Sequence, residues 1–206
     1  MTVEVAIRLE SSALLVHDVT NDFLDPAGPG YDPGLGAVLE NVRALLAAAR
    51  QAGLPVVFVA PGQGDPSIGP AQRAEGAPPS PLWGTPGVDV PASLGPGPGE
   101  KVVRKPRWGG FHGSELAAHL RGTGRDTIVL CGLSLAGGIE TTVRDAYNHD
   151  LRSVVVEDAC LIRAVPDQGW GAVSREDVRR VVLSVLAQRF ARVATTREIC
   201  DELLSR

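Results

Sequence analysis

An aspartate, a lysine and a glycine-rich turn are the parts of this sequence whose types and spacing could do chemistry. Asp18 closes the apolar run at residues 13–18 and opens TNDFLDPAGPGYDPG, and Lys105 ends a second apolar run within VVRKPRWGGFHG. An acid and a cation at neighbouring strand ends suit a proton transfer. Each also has an ordinary reading. Asp18 can cap its own turn at Asn21 or Asp22, and Lys105 can be a surface lysine. Acting together, the ammonium either fixes the charge of Asp18 or grips a substrate carboxylate. The third part is CGLSLAGGIETTVRDAY at residues 131–147, where a strand over 127–130 runs into Gly132 and a helix starts near Gly137. Gly138 then lies in the first turn, whose N–H groups lack intrahelical partners and suit a carbonyl or an anion. With glycine there, the turn offers backbone donors and space in place of a nucleophile.

Other residues could complete such a site. Arg73 can clamp a carboxylate by a bidentate contact, or be a solvated loop arginine. Trp83, Trp108 and Phe111 stand out in a chain with 4% aromatic residues, and their loop positions suit an apolar pocket wall, although core packing explains Phe111 equally well. His17 precedes Asp18 on a strand and points to the opposite face, as a satisfied structural histidine. Cys131, at a strand end with no adjacent base, reads as a buried small apolar residue. The three cysteines and four histidines have no metal-site spacing, and neither GxGxxG after the first strand nor a GxxxxGK[ST] loop occurs, so no cofactor is implied.

The elements that must position these residues follow from periodicity. Strands are expected at 13–18, 54–59, 101–104, 127–130, 154–157 and 192–194, and helices at 35–52, 114–121, 175–189 and 196–204. Gly53 stops the first long helix and Ser174 caps the 175–189 helix, on which Val178, Val181, Val182, Val185 and Leu186 share a face. Alternation of strands and helices without hairpin signals predicts a single three-layer α/β domain over 1–206. It is a doubly wound, mainly parallel six-stranded sheet with helices on both faces, Rossmann-like in layout. Ligands bind outside the carboxyl ends of strands in such sheets, where Asp18, Lys105 and the 131–147 turn meet. Residues 61–99, rich in proline and glycine, form a long excursion suited to covering a substrate, with a short turn near 71–75. The net charge of −4 and the absence of a basic patch exclude a nucleic-acid surface, and no apolar run reaches membrane-spanning length. A cytoplasmic protein is expected, with neither nucleic acid nor membrane as partner.

These stretches resemble the isochorismatase-like hydrolases, a family that includes nicotinamidases and other cysteine hydrolases. LLVHDVTNDFLDP is similar to the first-strand motif and puts the catalytic aspartate on Asp18. VVRKPRWGGFHGSEL is similar to the motif that supplies the catalytic lysine, here Lys105. GLSLAGGIETTVRDAYNHDLRSVVVEDAC is similar to the segment that carries the nucleophile in the cysteine branch, at the position of Gly138. The resemblance therefore implies the cysteine-lacking branch of isochorismatases and phenazine-pathway relatives, which split an enolpyruvyl ether with no covalent intermediate. There the aspartate protonates the vinyl-ether methylene, water attacks the oxocarbenium carbon and pyruvate leaves. Asp18 must be neutral in the complex, a form that burial beneath substrate favours. By the same resemblance Arg73 and Trp83 face the substrate; Trp108, Phe111, Ser134, Gly137 and Gly138 are expected to line its pocket. Three positions depart from the pattern: Ala60 replaces a glutamine, Ser134 a tyrosine and Ala136 a histidine. Gln63 or Gln72 is a candidate to restore the amide. The family also implies a cis peptide near Leu133-Ser134, a homodimer or larger homo-oligomer, and a small carboxylated substrate. A non-hydrolytic proton transfer on the same pair, or a silent binding protein, are the alternatives.

Overall fold

A strand buried on both faces needs a continuous apolar run, and β1 (Ser12–His17) is such a strand, buried along its whole length. A short α1 (Asn21–Leu24) and the long α2 (Leu35–Ala52) follow, and Gly53 ends α2 in the left-handed conformation at φ 73° that glycine adopts without penalty. Then come β2 (Val56–Pro61), β3 (Lys101–Lys105), α3 (Leu116–Gly122) and β4 (Thr127–Gly132). The chain closes with α4 (Glu140–Asn148), β5 (Arg152–Cys160), α5 (Arg175–Arg189), β6 (Arg192–Ala194) and α6 (Thr196–Leu204). This computed structural model describes residues 3–28, 30–62 and 85–205. The strands pair in the order β3-β2-β1-β4-β5-β6, all parallel.

Strand alternation divides the core. Leu14, Val16, Phe58, Val129 and Cys131 face the layer of α2 and α6, whereas Ala13, Leu15, Val59, Val103 and Leu130 face the layer that includes Leu120, Ile139 and Val143. Burying each of the larger side chains stabilises the fold by about 1.5–3 kcal/mol. The strand order reverses between β1 and β4, the place where open α/β sheets leave a crevice at their carboxyl ends. There the two strands approach closely: His17 pairs in register with Gly132, and Leu133 N–H donates to His17 O at 2.8 Å. Gly132, at φ 119°, has to be glycine, because a Cβ would collide with His17 O.

The departures from the expected elements have local causes. β5 runs three residues beyond its expected end because both of its acidic residues find partners. Glu157 pairs with Arg179, and Asp158 Oδ1 accepts from Thr196 N and Oγ1 at the start of α6. Residues 21–24, expected as loop, form α1. On α5, Val178 and Leu186 are buried while Val181 is 54% exposed, so the expected single apolar face is only partly covered. Ser114 does serve α3, accepting from Leu116 N at 3.1 Å. In the 61–99 excursion, the described part from residue 85 is tied to the body. Arg104 donates to Val88 O and Asp89 Oδ1, and Arg50 to Leu94 O. The short turn near 71–75 lies outside the described residues. No cis peptide bond occurs among them, so Leu133-Ser134 is trans. No described helix is long and apolar enough to cross a membrane.

Candidate active site

Asp18 follows β1 and Lys105 ends β3, with β2 between them in the sheet. The two side chains nevertheless meet: Lys105 Nζ lies 2.9 Å from Asp18 Oδ2. Two more acceptors complete the ammonium, Arg107 O at 2.9 Å and Trp108 O at 3.1 Å. An ammonium has three N–H donors, and these three acceptors match them. Lys105 is 4% exposed, so a buried cation is here both paired and fully hydrogen-bonded. Of the two roles left open by the sequence, this geometry favours holding Asp18 over gripping a substrate carboxylate.

Asp18 does not cap its own turn. Its backbone N–H donates to Val59 O at 2.8 Å, and its φ of 53° is the left-handed conformation, which Asp adopts more readily than most residues. Oδ2 is also 3.3 Å from Nδ1 of His17. Oδ1 is buried and has no hydrogen-bond partner among the described residues. The carboxylate is therefore asymmetric. Oδ2 is held by the Lys105 ammonium, so a proton on the neutral acid belongs on Oδ1, the oxygen without a partner.

His17 is a satisfied structural histidine, as expected, but it lies closer to Asp18 than the sequence suggests. Strand alternation places its ring on the α4 side, as expected, but the left-handed backbone of Asp18 breaks the alternation and brings the carboxylate beside it. The ring is fully buried. Nδ1 is 2.9 Å from Leu133 O, an acceptor only, so this nitrogen carries the proton. Nε2 is 3.2 Å from Thr142 Oγ1, which accepts from Gly110 N at 2.9 Å and reaches Gly138 O at 2.6 Å. Burial pushes the imidazole down to about 4, with the Lys105 charge adding to the effect and Asp18 and the Leu133 carbonyl opposing it. The neutral ring thus joins β1, the turn after β4 and the loop after β3. Neither His17 nor Thr142 was singled out for the site. The usable signal was a polar residue in an otherwise apolar strand and a threonine four residues after Gly138.

The turn itself, Leu135–Ile139, is closed by Ile139 N–H donating to Ser134 O at 3.1 Å and is kinked by non-helical backbone at Ala136 and Gly137, with α4 starting only at Glu140. The helix therefore begins later than the sequence suggested. Gly138 is buried against His17, and a side chain there would put its Cβ into the imidazole. Gly137 lies under Trp108, where a Cβ would come within 3.0 Å of the indole and 2.9 Å of Ser134 Oγ. Trp108 is 63% exposed, an aromatic wall beside the pair. Phe111 takes its other reading: at 5% exposure it packs in the core, its ring 5.0 Å from that of His149. Gln63, Arg73 and Trp83, with Gln72, lie outside the described residues. Cys131 sits on the α2 face of the sheet, and its thiol is pushed up to about 12 by burial. It is no nucleophile for this site. Among the described residues no group of three His, Cys, Asp or Glu side chains is close enough to hold a metal ion.

Comparison with known proteins bears on the family and the fold. The family model described as the isochorismatase domain matches residues 12–198. Among curated proteins, phenazine biosynthesis protein PhzD1 of Pseudomonas aeruginosa is 31% identical over 198 residues, covering 92% of this chain and 85% of that protein. Ureidoacrylate amidohydrolase RutB of Methylobacterium radiotolerans is 30% identical over 182 residues, covering 75% of this chain and 69% of that protein. Among solved structures, a cysteine hydrolase from Pseudomonas syringae pv. phaseolicola superposes with a TM-score of 0.88 at 30% identity. It covers 100% of this chain and 98% of that one.

Proposed function

The chain belongs to the isochorismatase family of hydrolases, and on that premise we propose that it cleaves an enolpyruvyl ether of a small carboxylated metabolite by acid catalysis. The observation that carries this reading is the asymmetric Asp18 carboxyl, anchored through Oδ2 by Lys105 and unpartnered at Oδ1, beside a turn that has no side chain at Gly138. Similarity to a phenazine biosynthesis protein supports it, while similarity to an amidohydrolase marks the competing reading of amide cleavage.

In the proposed reaction Asp18 Oδ1 gives its proton to the vinyl-ether methylene, forming a C–H bond and leaving an oxocarbenium ion. Water adds to the cationic carbon and returns a proton to Asp18, and the hemiketal collapses to pyruvate and the ring alcohol. Lys105 keeps Oδ2 fixed throughout, and its fixed charge stabilises the carboxylate when the proton has left. Trp108 provides an apolar wall over the turn. The protein is further proposed to act as a homo-oligomer in the cytoplasm.

Pyruvate release from isochorismate and from its 2-amino analogue tests this. The wild type should release pyruvate with one solvent deuterium in its methyl group in deuterated water, and Asp18→Ala should not. Equal turnover by both proteins removes Asp18 from the mechanism. A deuterated product formed without pyruvate favours a non-hydrolytic proton transfer.

A further inference from the structure

The empty place at Gly138 is not empty. The imidazole of His17 stands where the first carbon of any residue-138 side chain would go, with Nδ1 3.0 Å from that carbon and Cε1 nearer than van der Waals contact permits. Clashes with the tip of a mobile side chain are relieved cheaply, but this ring cannot swing away. It is fully buried, it is bonded through Nδ1 to Leu133 O and meets Thr142 through Nε2, and Asp18 Oδ2 stands 3.3 Å from Nδ1. On the remaining side the same carbon would press on Leu133 O at 3.1 Å, backbone that Leu133 N–H fastens to β1. Protein interiors are packed too closely to absorb such an overlap without moving a neighbour.

We propose that His17 and Gly138 form one steric unit, in which the His17 ring fills the volume a side-chain nucleophile would need and so commits this site to chemistry without a covalent intermediate. His17 is then the residue that determines the reaction class, and Gly138 is its consequence. The inference deepens the acid-catalysed reading by explaining why no nucleophile can stand beside Asp18, while its steric content is independent of the substrate.

The test is a double-substitution cycle on the full chain, comparing wild type, His17→Ala, Gly138→Ala and the two combined. Gly138→Ala alone should lower the unfolding midpoint by roughly 2–12 °C, the effect of overpacking in a chain of this size. In the His17→Ala background the same change should cost little or raise the midpoint. A Gly138→Ala protein that does not fold, with a double variant that does, supports the unit equally. Losses that simply add would overturn it, as would a Gly138→Ala protein as stable as wild type.

A second readout follows the reaction class. Gly138→Cys combined with His17→Ala should place a thiol in the volume the ring vacates, alkylated by iodoacetamide at least about tenfold faster than Cys131, whose thiol burial pushes up to about 12. Gly138→Cys with His17 retained should be destabilised. Should Gly138→Cys fold with full stability and react equally fast with or without His17, the ring does not control this position. Absence of enol-ether turnover by the wild type would defeat the proposed reaction alone, since neither stability nor alkylation depends on substrate.

Discussion

The two sides of the site are built on opposite terms. On the side of β1 and β3, a buried ammonium with every donor occupied holds one oxygen of a carboxylate and leaves the other unpartnered. On the side of the β4–α4 turn, Gly137 and Gly138 carry no side chain, Ser134 Oγ stands beside Gly137, and the neutral ring of His17 lies behind Gly138. The difference shows where the work can be done. Proton transfer has a carboxyl group and a fixed counter-charge, while position 138 offers covalent attack neither a side chain nor the space for one.

Breaking the charged side should have the largest effect. Asp18→Asn keeps the shape and removes the proton, and kcat on a substrate turned over by the wild type should fall by about 10²–10⁴-fold, the usual contribution of general acid catalysis. A drop smaller than tenfold would shift the chemistry elsewhere. Lys105→Met comes next. It strands a carboxylate in a largely buried place, and removing one partner of such a pair costs about 3–5 kcal/mol. Urea unfolding measures this, and a loss below about 1 kcal/mol would mean that solvent already screens the pair.

The neutral side should yield a smaller, pH-dependent effect. His17 titrates from 6.5 in the unfolded chain to about 4 in the fold. Between those values the unfolded chain binds the extra proton, so this residue's contribution to stability is lost as pH falls from 6.5 towards 4. The shift corresponds to roughly 3 kcal/mol in that window. Unfolding free energies at pH 7.5, 5 and 4 should converge for wild type and His17→Leu or cross over as pH falls. Parallel curves would contradict a buried neutral ring.

The contrast between the two sides also explains what could be read without coordinates. Asp18, Lys105 and Gly138 were legible because apolar runs and turn residues mark strand ends, and the sheet brings those ends to one edge. The bounds of α2, α5 and α6 were legible because Gly53 and Ser174 stop or start helices and the apolar spacing is regular. His17 was read as structural because period-two alternation sets neighbours apart, and one left-handed φ at Asp18 cancels that rule. Thr142 was invisible for a different reason: its importance lies in three contacts with separate parts of the chain. The late start of α4 reflects the non-helical backbone at Ala136 and Gly137, which no 3.6-residue period anticipates.

The central claim is that the reaction proceeds with no side-chain nucleophile. It is tested most directly by quenching the protein in acid during turnover of its substrate and measuring its intact mass. The account predicts the mass of the unmodified chain at every time point, with Cys131 buried on the far face of the sheet and its thiol protonated. An acyl adduct that forms and decays with turnover, mapped to Cys131 or to any other side chain, would contradict it.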